Sequence, residues 1–417
     1  MNVRTLAFSA ACVALSFAPA FAETHVTVLH VSENPAQRGL WEQIAKDYNA
    51  SHKGVNVEMK YLENEAFKAK LPTMLQSDAR PDLFYSWAGG VMQAQHQAGF
   101  LKDITSQAAG FEQNLSPTAV DAFKVAGKVV GAPIETGEVA FFYNKKLFEK
   151  AGVKAEAIKS WDDFIAAVKA LKAAGVTPLV VGAGEKWPMH FYYSYLVMRI
   201  GGEHALADAK AGKDGGFKNA NFVEAGKRLR ELAALEPFQP GYLQTSHAQS
   251  AGLFGDGKAA MDLMGQWLLG MQAPNSASGK GLSEGDIGIL SFPVVSGGKG
   301  KASDTLGGIN GFLVAKSAPP EAVDFLKFFG QAKYADEAAK SGAYIPVVKG
   351  AEANFTDPLF KRMASDLAET TYHQNFFDQD LGPSVGRVIN DVSVAVAAGE
   401  MTPEAAAAAI QDAADQQ

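Results

Sequence analysis

From His25 to Val31 the chain alternates apolar and polar residues, the period of a half-buried strand. From Pro35 to Ser51 the period lengthens. Leu40, Trp41, Ile44, Ala45 and Tyr48 fall on one face of a helix. Val55, Val57, Met59 and Tyr61 alternate again, and Ala66 to Ser77 predicts a second helix with Phe67, Leu71, Met74 and Leu75 on one side. Asp82 to Trp87 predicts a third strand and Val91 to Ala98 a third helix. Strand, helix, strand, helix, strand is the order of a parallel sheet wrapped by helices. Ligands of such sheets sit beyond the C-terminal ends of the strands. Those ends carry Ser32-Glu33-Asn34, Glu63-Asn64 and Ser86-Trp87-Ala88-Gly89-Gly90. Acidic, amide and aromatic groups converging from three strand ends describe a polar small-molecule site. Glu33 and Asn34 are equally well placed to cap a helix beginning at Pro35, and Trp87 would also serve as core.

Further on, Lys128 to Pro133 and Val139 to Tyr143 are two apolar, β-branched runs. Between them lie Glu135, Gly137 and Glu138, a short crossing that can bend at Gly137 and present Glu135. Trp161, Phe164, Val168 and Leu171 share a helical face, so Trp161 belongs to a core. Pro178 to Val181 is a short strand. Trp187 precedes Pro188 at a helix start, where an indole can overhang a cleft. Phe217 to Leu235 and Pro320 to Gly330 are amphipathic helices. Thr402-Pro403-Glu404 opens the last helix, with Thr402 as its cap.

The first residues change the picture of where the chain works. Arg4, the apolar run Leu6 to Phe17 and Ala20-Phe21-Ala22 form a secretory leader cut after Ala22, so the mature chain is expected in the periplasm. The apolar run is too short to span a membrane. Cys12, the only cysteine, lies in that leader, which excludes disulfides and thiolate chemistry afterwards. Roughly 395 residues remain, more than one domain usually holds. The net charge of −7 becomes −8 without Arg4, and no basic stripe appears, so nucleic acid is a poor partner.

Two motifs tempt and fail. Gly252-Leu253-Phe254-Gly255-Asp256-Gly257-Lys258-Ala259 lacks the hydroxyl that a phosphate-binding loop needs at its last position, and it runs from helix to strand, the reverse of the required order. Gly382-Pro383-Ser384-Val385-Gly386 spells a nucleophile elbow, but no histidine follows it and Pro383 starts a helix. The eight histidines show no metal-ligand spacing, so neither metal nor cofactor is called for. Glu33, Glu63 and Glu135 leave open a glycosidase, whose two carboxylates would have to flank a bond.

The stretch GAPIETGEVAFFYNKKLFEKAGV from Gly131, followed by Ser160-Trp161-Asp162-Asp163-Phe164, resembles a pattern of the extracellular solute-binding proteins of ABC importers, in their carbohydrate-binding branch. Phe254-Gly255-Asp256-Gly257-Lys258-Ala259-Ala260-Met261 with Met264-Gly265-Gln266-Trp267 is a closer match. Thr305 to Ala315 resembles the family's glycine-rich strand and Ser341 to Pro346 its third crossing. The resemblance implies an α/β fold of two lobes joined by three crossings, with a ligand cleft between them. The expected lobes are 23–134 with 293–345 and 137–290 with 347–417, and the return crossing is expected at Asp286 to Phe292. It also implies a monomer that binds a sugar, closes like a hinge and docks on permease subunits, performing no reaction. Glu33, Asn34, Glu63 and Glu135 are the expected hydroxyl partners. Trp87, Trp187 and Trp267 are the expected stacking rings, and Gly308, Asn310, Asp378 and Arg387 are further candidates. An anionic sugar would need Lys186 or Arg387 in the site. An acidic, aromatic cleft also suits a cationic ligand such as a polyamine.

Overall fold

The computed structural model describes residues 23–110 and 112–417. The expected leader lies outside the described residues. Strands Thr24–His30, Val55–Tyr61 and Leu83–Ser86 form a parallel set with Thr24–His30 in the middle. Helices Pro35–Ser51, Asn64–Met74 and Gly89–Gln97 follow them in turn. Pro35 starts the first helix behind the Asn34 cap, as expected, because a proline costs nothing where the amide has no partner.

The sequence predicts two strands and a bend between Lys128 and Tyr143. The structure instead has one continuous strand, Gly131–Asn144, fourteen residues long. Gly137 does not bend it. A Cβ there would lie 2.8 Å from both amide atoms of Gln266, so glycine is needed for side-chain room. This strand pairs antiparallel along most of its length with Thr305–Val314, from Leu306 opposite Val139 to Leu313 opposite Gly131, with a bulge at Asn310/Gly311. On one side Thr305–Val314 joins Leu83–Ser86, and on the other Gly131–Asn144 joins Met261–Gly265 and through it Leu179–Val180. The result is one mixed sheet whose two central strands are shared by two separate cores.

The first core is built from Val26, Trp41, Phe84, Ala132, Phe312 and Phe325 among others. The second is built from Phe141, Trp161, Tyr192, Phe254, Met264 and Leu306. Trp161 is 1% exposed, in the core as expected. The expected return crossing is displaced. Strand Ile287–Leu290 pairs with Phe141–Asn144, and Phe292 and Val295 pack in the second core. The change of core occurs later, within Thr305–Val314, between Leu306 and Phe312. A second short crossing partner, Ile345–Pro346, pairs with Thr136 and Glu135. Helix His247–Gly255 precedes strand Met261–Gly265, and Gly382–Ala397 is a helix, so neither rejected motif has the backbone its chemistry needs.

Candidate functional site

A cleft lies over the shared strands between the two cores. It holds about 890 Å³ of atom-free space, its open mouth included. From the first lobe it is lined by Glu33, Asn34, Gln37, Lys68, Tyr85 and Trp87, and from the second by Glu185, Trp187, Gln266, Trp267, Phe376 and Asp378. Glu135 and Asn310 rise from the shared strands that form its floor.

Eight of the residues expected from sequence therefore come together: Glu33, Asn34, Trp87, Glu135, Trp187, Trp267, Asn310 and Asp378. Glu63 does not line the cleft. Its two carboxylate oxygens accept the backbone amides of Glu65 and Ala66, both at 2.9 Å, and cap the helix Asn64–Met74. The reason is local: its carboxylate is held by the cap, while Asn64 and Lys68 on the same helix do line the cleft. Gly308 lies beneath the site: a Cβ there would sit 2.5 Å from the Phe376 ring. As a paired strand residue it makes room for that ring, contrary to an amide facing a ligand. Arg387 is exposed on its helix outside the cleft. Lys186 is exposed and paired with Asp391 at 2.6 Å.

Asn34 combines both roles weighed for it. Its Oδ1 accepts the Ala36 amide at 3.0 Å as a helix cap, and its Nδ2 donates to the Ala343 carbonyl at 3.2 Å while its side chain lines the cleft. Glu135 is the centre of a buried network. Ser32 donates to Gln37 at 2.6 Å, Gln37 donates to Glu135 at 2.8 Å, and the Tyr85 hydroxyl donates to Glu135. Burial pushes the Glu135 carboxyl up to about 7, against the opposing pull of Tyr85, Asn310 and Gln37. The Asn310 Oδ1 is buried with no hydrogen-bond partner.

At the opposite wall Asp378, 7% exposed, meets Lys68 at 3.3 Å, Gln379 at 3.2 Å and His190 at 3.7 Å. Burial would raise its carboxyl, but Lys68 and then His190 hold it below the ordinary range. Lys68 lies 5.6 Å from the centre of the Trp87 ring and also bonds Glu65 at 3.2 Å. The indole of Trp187 donates to Glu185 at 3.0 Å and lies 5.0 Å from His247 and 6.4 Å from Trp267. Trp267 faces Phe376 at 6.3 Å. Three indoles, the phenyl rings of Phe191 and Phe376, and acceptors of two kinds thus share one concave surface.

Sequence reasoning missed Gln37, Lys68, Tyr85, Glu185, His247, Gln266 and Phe376. Glu185 and Gln266 are neighbours of Trp187 and Trp267, so adjacency to a candidate indole was a usable signal. Tyr85 and Phe376 carry none, because an aromatic in a buried strand or beside another phenylalanine reads as core. Lys68 sits one turn into a helix whose polar face looked merely solvated.

Residues 33–336 match the model of the bacterial extracellular solute-binding protein family. The chain is 23% identical over 369 residues, 86% of its length and 83% of the relative's, to a multiple sugar-binding protein of Streptococcus mutans. A solved structure concerned with xylan utilization by Caldanaerobius polysaccharolyticus superposes with a TM-score of 0.86 at 25% identity, covering 93% of this chain and 99% of that one. A chitin oligosaccharide binding protein gives the same TM-score at 24% identity, covering 94% and 98%, which speaks to the two-lobed fold. With the family match spanning well over half its length, this chain belongs to the bacterial extracellular solute-binding proteins.

Proposed function

We propose that this chain captures a sugar, mono- or oligosaccharide, in the interlobe cleft and delivers it to the permease of an ABC importer. The observation that carries this reading is the pairing, in one cavity, of Trp87, Trp187 and Trp267 with carboxylate and amide acceptors from both lobes. A sugar ring offers apolar C–H faces to indoles and hydroxyl donors to acceptors at its edge. In this reading Glu33, Glu135 and Asn310 accept hydroxyls, Trp87 and Trp267 cover ring faces, and Asp378 acts chiefly through Lys68. The family and the sugar-binding relatives support it.

Among the described residues no helix is long and apolar enough to cross a membrane. Release into the periplasm after leader cleavage and work as a monomer are part of the same proposal. Capture is by hinge closure about the shared strands, the ligand favouring the closed state because only there does it touch both lobes. No bond is made or broken.

The test is a thermal-shift and calorimetric screen of the chain against neutral sugars, amino sugars and polyamines. One sugar family is expected to raise the melting temperature in step with its concentration and to be recovered unchanged. Trp267→Ala is expected to weaken that binding about tenfold. Silence from every sugar, or steady consumption of one, would overturn the reading.

A further inference from the structure

The polar groups of the cleft are unevenly committed. Many of its donors are spent within the protein: Tyr85 and Gln37 on Glu135, the Trp187 indole on Glu185, the Asn34 amide on Ala343, and Lys68 on Asp378 and Glu65. The open acceptors are a carboxylate at the mouth and an amide oxygen on the floor. Glu33 has one donor, the Tyr61 hydroxyl at 3.3 Å on Oε1, and the buried Asn310 Oδ1, on the cleft floor, has none. A buried acceptor without a donor costs free energy until a ligand supplies one.

The charges at the mouth point the same way. Glu33, from the first lobe, and Glu185, from the second, both line the cleft. Burial, then Glu185 and Glu63, push the Glu33 carboxyl up, while Tyr61 and Arg38 oppose the shift. Burial pushes Glu185 up against its bonds to the His247 amide and Trp187, and Glu63 and Glu65 add to the rise. Closing the lobes therefore brings Glu185 toward the first lobe's Glu33, Glu63 and Glu65. Arg38 and Lys68 are the cations on that side, and Lys68 is occupied by Asp378 and Glu65. Among the described residues no three acidic or histidine side chains are arranged to hold a metal ion. A positive charge on the ligand would relieve this repulsion.

We infer that the cleft selects a sugar carrying a protonated amine, seated between Glu33 of one lobe and Glu185 of the other with Asn310 accepting a neighbouring hydroxyl. This rests on the sugar-capture reading above and sharpens it to a substrate class. An ammonium supplies three donors and the positive charge that lets the acidic rims approach. A uronic or sulfated sugar would add to the repulsion, and an N-acetylated one would remove the charge.

The experiment is calorimetry on matched pairs that differ in one substituent: glucose and glucosamine, galactose and galactosamine, mannose and mannosamine, with the N-acetyl derivative of each and spermidine alongside. At pH 6 and low salt the amine of at least one pair is expected to bind about tenfold tighter than its hydroxyl partner. That ratio should shrink as the amine deprotonates toward pH 9 and as salt screens the charges. Glu185→Gln should narrow the ratio, whatever it does to the absolute affinities. Equal affinities within every pair, or a ratio blind to pH and salt, would overturn the inference and leave sugar capture standing. Binding of spermidine with no sugar bound at all would overturn both.

Discussion

Glu138 shows what a single buried acid does to this molecule. It sits on the shared strand, 2% exposed, with one carboxylate oxygen lacking any partner. Burial, then Asp366, push its carboxyl up to about 8, although Arg362 and Arg199 pull the other way. A value raised from the ordinary 4.5 means that the folded state holds a proton the unfolded state has lost. Its stabilising contribution is complete below that ordinary value and disappears as the pH climbs to about 8. Glu135, at about 7, has the same sign. The buried His30, His247 and His373, pushed down to about 4, have the opposite sign, but their effect is finished above pH 6.5. Between pH 6.5 and 8 the two glutamates act without that opposition. Urea unfolding of the ligand-free protein should therefore show stability falling across this window. Glu138→Gln, which mimics the protonated acid, should flatten the fall and exceed the wild type at pH 8 by on the order of 3 kcal/mol. An unchanged slope in the variant would refute the assignment.

The element that joins residue chemistry to architecture is the pair of shared strands. Gly307 and Gly308 are neighbours on one of them, yet they point to opposite faces. A Cβ on Gly307 would run into the carbonyl oxygen of Gly137 on the partner strand, a backbone atom that cannot step aside. A Cβ on Gly308 would meet the Phe376 ring and the Asn310 Oδ1, on the face that looks into the cleft. The two alanine variants should then separate. Gly307→Ala should cost about 1–3 kcal/mol of stability, read by urea unfolding, whereas Gly308→Ala should chiefly weaken the ligand by displacing Phe376 and Asn310. Equal losses of stability with affinity intact in both would contradict this division. The same strands mark the boundary of what sequence could tell. Periodicity located the first-lobe strands, and Pro35 to Ser51 was placed to the residue because proline and Asn34 punctuate it. It read two strands where Gly131–Asn144 is one, since a glycine beside acids signals a turn whether or not the chain turns. Glu63 looked like Glu33 in sequence. Only the cap geometry, with both Glu63 oxygens on backbone amides, assigns one to a helix end and the other to the cleft.

At the scale of the whole molecule, function depends on how closely the lobes approach. Lys68 reaches across to Asp378, and the Asn375 amide donates to the Trp87 carbonyl at 3.0 Å. On another side of the cleft, Gly270 of helix Leu268–Asn275 lies against Asn34, its absent Cβ falling 2.5–2.6 Å from three side-chain atoms of that residue. Asn34 cannot yield, because its two polar ends are tied to Ala36 and Ala343. Gly270→Leu places a branched side chain where only backbone fits, on a surface that the separated lobes would leave free. The expected result is a protein that folds with its own melting temperature little changed but closes incompletely. Its affinity for the identified ligand should drop at least tenfold, because the second lobe's groups no longer reach. Small-angle scattering should show the compaction that ligand causes in the wild type reduced or lost in the variant. If compaction and affinity both survive, the contact between Gly270 and Asn34 does not limit closure, and the approach of the lobes is governed by the Lys68–Asp378 side instead.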